Sequence, residues 1–257
     1  MDERESPFCQ AGVLMPRPAK RAIESAEAPA PSSTRRARKP SRELGRIRFQ
    51  LLLEAAEDLL RDQNPGDVGL YQIAERANIS PGTVYHFFPT INAVFIALAE
   101  KYHQHFLALA AEPAPANRLI SWQDLLIIRH ERAVAYYNAH LPASKVLLGS
   151  LPSWELQQAQ NQYDESVAPS VFGYFDQVFL MPHIKDPEPR FEIMFAIAGA
   201  IWSISFQRYG MINAWYAEEA MRACIAHCRT FLPERADPRP HVLEAAVRGD
   251  LISLTSK

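Results

Sequence analysis

At 257 residues, 48% hydrophobic and 22% charged with a net charge of −2, the chain has the make-up of a globular protein of one or two domains. Three cysteines, Cys9, Cys224 and Cys228, are too few for a disulfide scaffold and point to a reducing compartment. The longest apolar run, Ile193–Trp202, falls far short of the roughly 20 residues of a membrane span, and Phe8–Met15 is too short and badly flanked for a signal peptide. A cytoplasmic protein with no membrane partner is expected.

The charge is unevenly spread. Between residues 17 and 48 ten lysines and arginines stand against Glu24, Glu27 and Glu43, so this stretch is strongly basic while the rest of the chain is acidic. Residues 1–43 are rich in Pro, Ala, Ser and Arg with almost no large apolar side chains. Such a segment buries too little surface to offset its ordering entropy, and it is expected to be a disordered basic arm. From Leu44 the pattern changes. Ile47, Leu51, Ala55 and Leu59 recur every four residues, with Leu52, Ala56 and Leu60 beside them, which predicts an amphipathic helix ending near Arg61 before the breaker Asn64-Pro65-Gly66.

A short helix is predicted over Leu70–Ala77, followed by the stretch ISPGTVYHFFPT from Ile79 to Thr90. Taken alone, Ser-Pro-Gly reads as a turn and the residues after it as a strand. Together with Leu70–Ala77 it meets the demands of a helix-turn-helix. Ala74 is small where two helices must cross, Asn78 tolerates a positive φ, and Ile79 is apolar at the crossing. Ser80 is a favoured N-cap and Pro81 fits the first helical position. Val84 and Phe87 then face inward, leaving Thr83, Tyr85 and His86 outward and able to hydrogen-bond.

The segment 48–100 resembles the N-terminal DNA-binding domain of TetR-type transcriptional regulators. Ala55-Ala56, Ile73-Ala74, Ala77, Ile79-Ser80, Gly82-Thr83, Tyr85 and Phe87-Phe88 all match the family pattern. The resemblance implies that the second short helix reads DNA. Ser80, Pro81, Gly82 and Thr83 would meet phosphates or base edges at its start, and Tyr85 and His86 would reach phosphates or bases. Where the family carries a lysine after its aromatic pair, this chain has Thr90 and Ile91. The basic residues that precede or open the first helix, among them Arg42, Arg46 and Arg48, are the candidates for the missing phosphate contact.

Further helices are predicted from Val94 through Leu109, and over Ser121–Ala139, Ser153–Met181 with Pro169 inside it, Pro189–Tyr209 and Ala214–Leu232. Gly210 stands in a C′ position, Pro233 acts as a stop, and residues 241–254 suggest a weak extra helix. No alternating strand pattern of useful length appears. The expected fold is all-α: an arm (1–43), a helix-turn-helix domain (44–91), a helical effector-binding and dimerisation domain (92–233) and a tail (234–257).

Pro189–Tyr209 is apolar around almost its whole circumference, so one face is free for a partner. Ile197, Gly199, Ala200, Ile201 and Ile204, with Met221, Cys224 and Cys228 of the next helix, are the expected two-fold dimer interface. The middle helices are rich in large aromatic residues. Trp122, Tyr137, Trp154, Phe172, Phe175, Phe179 and Trp202 are candidates for a mostly apolar pocket, which the family resemblance assigns to a small hydrophobic or aromatic effector. Cys224, His227 and Cys228 lie at i, i+3 and i+4 of one helix, but no fourth ligand stands near, so neither a metal nor another cofactor is expected.

No GxSxG, HExxH, GxGxxG or P-loop pattern occurs, and an enzyme is not expected. The resemblance implies a homodimeric repressor on a palindromic double-stranded operator, cytoplasmic and held at the nucleoid by its DNA, and released by an effector. The alternative is a DNA-binding activator or architectural protein with no small-molecule effector.

Overall fold

Ten helices follow one another through the described residues of the computed structural model, which are 36–40, 42–149 and 154–254. The first three are α1 (Glu43–Asp62), α2 (Leu70–Arg76) and α3 (Pro81–Phe87), followed by the longer α4 (Ile91–Ala111). Beyond them come α5 (Trp122–Ala139), α6 (Leu141–Leu147), α7 (Trp154–Val178), α8 (Pro187–Tyr209), α9 (Ala214–Cys228) and α10 (Pro240–Arg248). Residues 1–35, most of the basic arm, lie outside the described residues, as does the start of the helix expected from Ser153.

Two buried clusters organise these helices. The first joins α1, α2, α3 and the first half of α4. Leu52, Ala56, Leu60, Ile73, Val84, Phe88 and Leu98 are all buried in it. Phe88 is fully enclosed, with its ring 4.8 Å from that of Phe49. The second cluster joins α5, α7, α8, α9 and α10 around Trp122, Phe175, Phe179 and Phe191. Residues 93–99 of α4 are all buried, because α4 packs on α1 and α6 in the first cluster and on α5 and α7 beyond it.

Local chemistry explains the helix ends. Asn78 takes φ 52°, and the Ile79 N–H donates to Ala74 O at 3.0 Å while the Asn78 N–H donates to Glu75 O at 3.1 Å. This is a Schellman motif with Asn at C′, and it turns the chain from α2 into α3. Thr90 caps α4 by accepting from Ala93 N–H. Asp124 Oδ2 collects the N–H groups of Ile120 and Ser121 and the Ser121 hydroxyl at the start of α5. Gly210 ends α8 at φ 70°, its N–H on Phe206 O at 2.8 Å. Because a β-branched residue strongly resists the left-handed region, Asn78→Val should lower stability by about 1–2 kcal/mol while Asn78→Gly stays near neutral. Chemical denaturation of the two variants checks this.

Three features differ from the sequence expectations. Helix α6 was not foreseen, since seven residues carry too little periodicity. It buries Ala143 and Val146 in the first cluster, and Lys145 Nζ donates to Leu60 O and Gln63 O at the end of α1. A two-residue strand pair joins β1 (Ala114–Pro115) antiparallel to β2 (Leu251–Ile252), so the tail expected to be one helix over 241–254 is α10 followed by β2. Residues 36–40 run along the protein surface ahead of α1. The Arg38 N–H donates to Phe87 O at 2.8 Å and Ala37 packs on the first cluster, which holds this end of the arm in place.

Candidate nucleic-acid interface and cavity

The second helix of the pair, α3, is fixed from behind. Val84 and Phe87 are buried, and Phe87 and Phe88 both pack on Phe49 of α1. Its other side meets solvent: Ser80, Pro81, Gly82, Tyr85 and His86 are exposed, and Thr83 is half-buried. Ser80 occupies the N-cap, but its hydroxyl pairs with the Thr83 hydroxyl at 2.9 Å in place of a backbone N–H. Pro81 has no N–H and the Thr83 N–H donates to Ser80 O at 2.9 Å, so Gly82 carries the one first-turn donor without a side-chain or backbone cap. A Cβ added at Gly82 would meet nothing within 4 Å, so nothing in the chain's own packing requires glycine there.

The basic residues divide into two groups. Arg36 Nη2 donates to Gln162 Oε1 of α7 at 3.2 Å, and Lys39 pairs with Glu100 of α4 at 2.6 Å, so both turn toward the body of the protein. Arg38, Arg42, Arg46 and Arg48 are exposed at or before the start of α1, with Arg46 3.8 Å from Glu43. That start adjoins the end of α3: a Cβ on Gly45 would lie 2.7 Å from Pro40 and 4.0 Å from the Phe87 ring. Of the two positions where the family's lysine would fall, Thr90 caps α4 and Ile91 is partly buried against the first cluster.

A cavity of about 510 Å³ opens between α4, α5, α7 and α8. Of the seven aromatic candidates, only Tyr137 and Trp202 line it. Trp122, Phe175 and Phe179 are fully buried in the second cluster, where Trp122 Nε1–H donates to Pro233 O at 2.8 Å. Phe172 packs on the same cluster beside Phe191, and Trp154 is 73% exposed. The lining that sequence reasoning missed includes apolar residues such as Phe106, Val171 and Phe195 and a polar set. His103 Nε2 bonds Gln160 Oε1 at 2.9 Å, Gln160 Nε2 donates to Asp164 Oδ1 at 3.0 Å, and the His103 ring stacks on Tyr163 at 3.9 Å. The Arg129 guanidinium sits 4.2 Å from the Tyr174 ring centroid and donates to Ala110 O.

Burial governs the charges here. It pushes the Asp164 carboxyl up to about 7, aided by Glu192 and opposed by the Gln160 hydrogen bond. It lowers His103 to about 4 against the same Gln160 contact, and Arg129 to about 10.

The expected dimer residues fall in different places. Ala200 and Ile204 are exposed on α8, in line with exposed Ile193 and half-buried Ile197. Ile201 and Met221 are half-buried, and Gly199, Ala200 and Met221 line the cavity. Cys224 and Cys228 lie inside the chain's own core, the latter 3.5 Å from the Met194 sulfur. Burial raises their thiols to about 11 and about 12, so both stay protonated and unreactive near neutral pH. Among the described residues no three His, Cys, Asp or Glu side chains are grouped to hold a metal ion, and no single helix is long and apolar enough to cross a membrane.

Residues 52–98 match the family model described as bacterial regulatory proteins, tetR family. The chain is 33% identical over 96 residues to the HTH-type transcriptional regulator EthR of Mycobacterium tuberculosis, a match covering 36% of this chain and 44% of the relative. The chain thus spans less than half the length of the curated relatives it matches. Among solved structures, a TetR-family transcriptional regulator from Streptomyces coelicolor superposes with a TM-score of 0.55 at 17% identity, covering 72% of this chain and 98% of that one. SmeT, the repressor of the Stenotrophomonas maltophilia multidrug efflux pump SmeDEF, superposes at 0.54 with 16% identity, covering 72% and 91%. The helix-turn-helix and the matched segment agree: residues 52–98 carry the DNA-binding segment that the tetR family model describes, and the rest of the chain shares the all-α fold of these solved structures.

Proposed function

We propose that this protein is a sequence-specific DNA-binding transcriptional regulator, a homodimeric repressor that leaves its operator when a small, largely apolar effector fills the cavity. The observation that carries this reading is the outer edge of α3. Thr83, Tyr85 and His86 stand outward on a helix anchored by Val84 and Phe87, and Gly82 leaves room for a close approach that the fold itself does not need. At the start of α3 the Gly82 N–H has room to meet a phosphate, and Arg38, Arg42, Arg46 and Arg48 supply positive charge near its end.

One such unit makes few base contacts, so pairing through the apolar line of exposed Ile193, Ala200 and Ile204 and half-buried Ile197 on α8 fits the need for two half-sites. The cavity lies beside α4, which starts at the recognition unit and ends under the second cluster, so occupancy there has a rigid element through which to act.

Selection of genomic fragments with the purified protein tests the reading. A dimer in sedimentation and enrichment of a palindrome with half-sites about one helical turn, or a multiple of it, apart are expected. A monomer that selects no palindrome would overturn it.

A further inference from the structure

The polar equipment of the cavity carries more than the presence of a pocket. Where α5 faces α8, three rings converge: the His130 and Trp202 ring centroids lie 5.1 Å apart, and those of Tyr137 and Trp202 5.6 Å apart. All three residues line the cavity. Trp202 Nε1 and His130 Nε2 are both buried without a hydrogen-bond partner. Burial holds this imidazole below its ordinary pKa, against a hydrogen bond to the Ala217 backbone that favours the protonated form, so the ring is neutral near pH 7, and with Nε2 unpartnered the backbone contact falls to the other ring nitrogen. Its Nε2 is then a lone-pair acceptor, while the indole N–H is a donor only. A buried donor and a buried acceptor left without partners on two neighbouring rings are costly to leave unmade.

The cavity also disfavours charge. Burial is the leading influence on each perturbed group of its wall, and in every case it favours the neutral form. Asp164, Tyr137 and Tyr163 are raised, whereas His103, His130 and Arg129 are lowered. Arg129 keeps its charge and an unpartnered Nε, but the guanidinium is committed to Ala110 O and the face of Tyr174. A cationic ligand would be desolvated there beside Arg129, and an anionic one would find the Arg129 Nε–H but no other charged donor among groups that burial holds neutral.

We propose that the cavity selects a neutral ring-bearing molecule with a hydroxyl group, whose oxygen accepts the Trp202 Nε1–H and whose O–H donates to His130 Nε2. This rests on the effector reading above. One hydroxyl supplies both missing partners from a single oxygen, which suits two rings in such close contact. The apolar body then fills the space left by the small residues Ala196, Gly199 and Ala200 of α8.

The test uses the full chain and five probes of one size: biphenyl, para-phenylphenol, its methyl ether, biphenyl-para-carboxylate and biphenylmethylammonium. Calorimetry and thermal shift are read first, then release of the selected operator. The phenol is expected to bind about tenfold tighter than biphenyl or the ether, and both charged probes more weakly than biphenyl. Trp202→Phe, which keeps a ring and removes the N–H, should cut the phenol's advantage over biphenyl severalfold, read as the ratio of the two affinities within the same variant. The proposal is overturned if either charged probe matches the phenol, if Trp202→Phe leaves the phenol's advantage intact, or if no probe binds. A phenol that binds as expected without releasing the operator would instead overturn the effector reading. A charged probe that binds and releases DNA would keep the effector reading and overturn this proposal.

Discussion

Replacing Thr83 with Glu is expected to abolish operator binding while leaving the protein at least as stable as before. Thr83 is the third residue of α3 after the Ser80 N-cap, and its hydroxyl is paired with that of Ser80 at the exposed start of the helix. A glutamate there completes a capping box, because its carboxylate reaches back to the Ser80 N–H. It also places a negative charge at the positive end of the helix, worth about 0.3–1 kcal/mol. Folding therefore gains slightly or is unchanged. Binding moves the other way: in the proposed complex the same carboxylate would face phosphates and base acceptors, and the lost contact would recur in both halves of the dimer. Direct base contacts are worth about 1–3 kcal/mol each, so affinity should fall by about a hundredfold or more. An ordinary helical corner would show the stabilisation without the loss. Fluorescence anisotropy with the selected operator, beside a urea titration of the same sample, separates the two, and unchanged affinity would remove α3 from the DNA interface.

The helix-turn-helix was legible because each of its key positions has few solutions. A positive φ between two short helices narrows the choice to Gly or Asn, and Asn78 adopts it; Ser-Pro marks a helix start, and Ala74 keeps the crossing close. Helix α6 was not legible, since its helical run is two turns long and its burial depends on α1 and α4, which lie far away in sequence. The cavity was half-legible. Composition announced aromatic rings but not their neighbours, and those are set by distant contacts: Trp122 is claimed by Pro233, whereas Trp154 meets solvent. Gly199 and Ala200 were small for a reason the sequence could not display, because on α8 they border an internal space as well as the outer face. The polar chain His103–Gln160–Asp164 joins α4 to α7 across 57 residues between its first two members, and no local pattern marks it.

That chain leads to the second large effect. Asp164→Asn should stabilise the protein above neutral pH and do nothing near pH 4. The Asp164 carboxyl titrates near 7 in the folded chain against an ordinary 3.8, because burial disfavours its charge. Below the ordinary value it is protonated whether the chain is folded or not. Between about 4 and 7 only the unfolded chain releases the proton, so the folded state loses stability as pH rises through this window. Above 7 the whole cost is present, on the order of 2–4 kcal/mol for a shift of this size. Asn removes the charge and keeps the oxygen that accepts from Gln160. His103 works in the opposite sense, since its folded value is lowered from 6.5 to about 4 and stability is lost as pH falls through that range. In the parent the two slopes offset each other between about pH 4 and 6.5. The Asp164→Asn variant should therefore show a melting temperature that climbs with pH there, where the parent's contribution from this pair is nearly flat. Melting curves at pH 4, 6 and 8 decide the matter. Equal melting temperatures for parent and variant at pH 8 would mean that the carboxylate is well hydrated in the cavity, and the charge-averse character argued for that wall would fall with it.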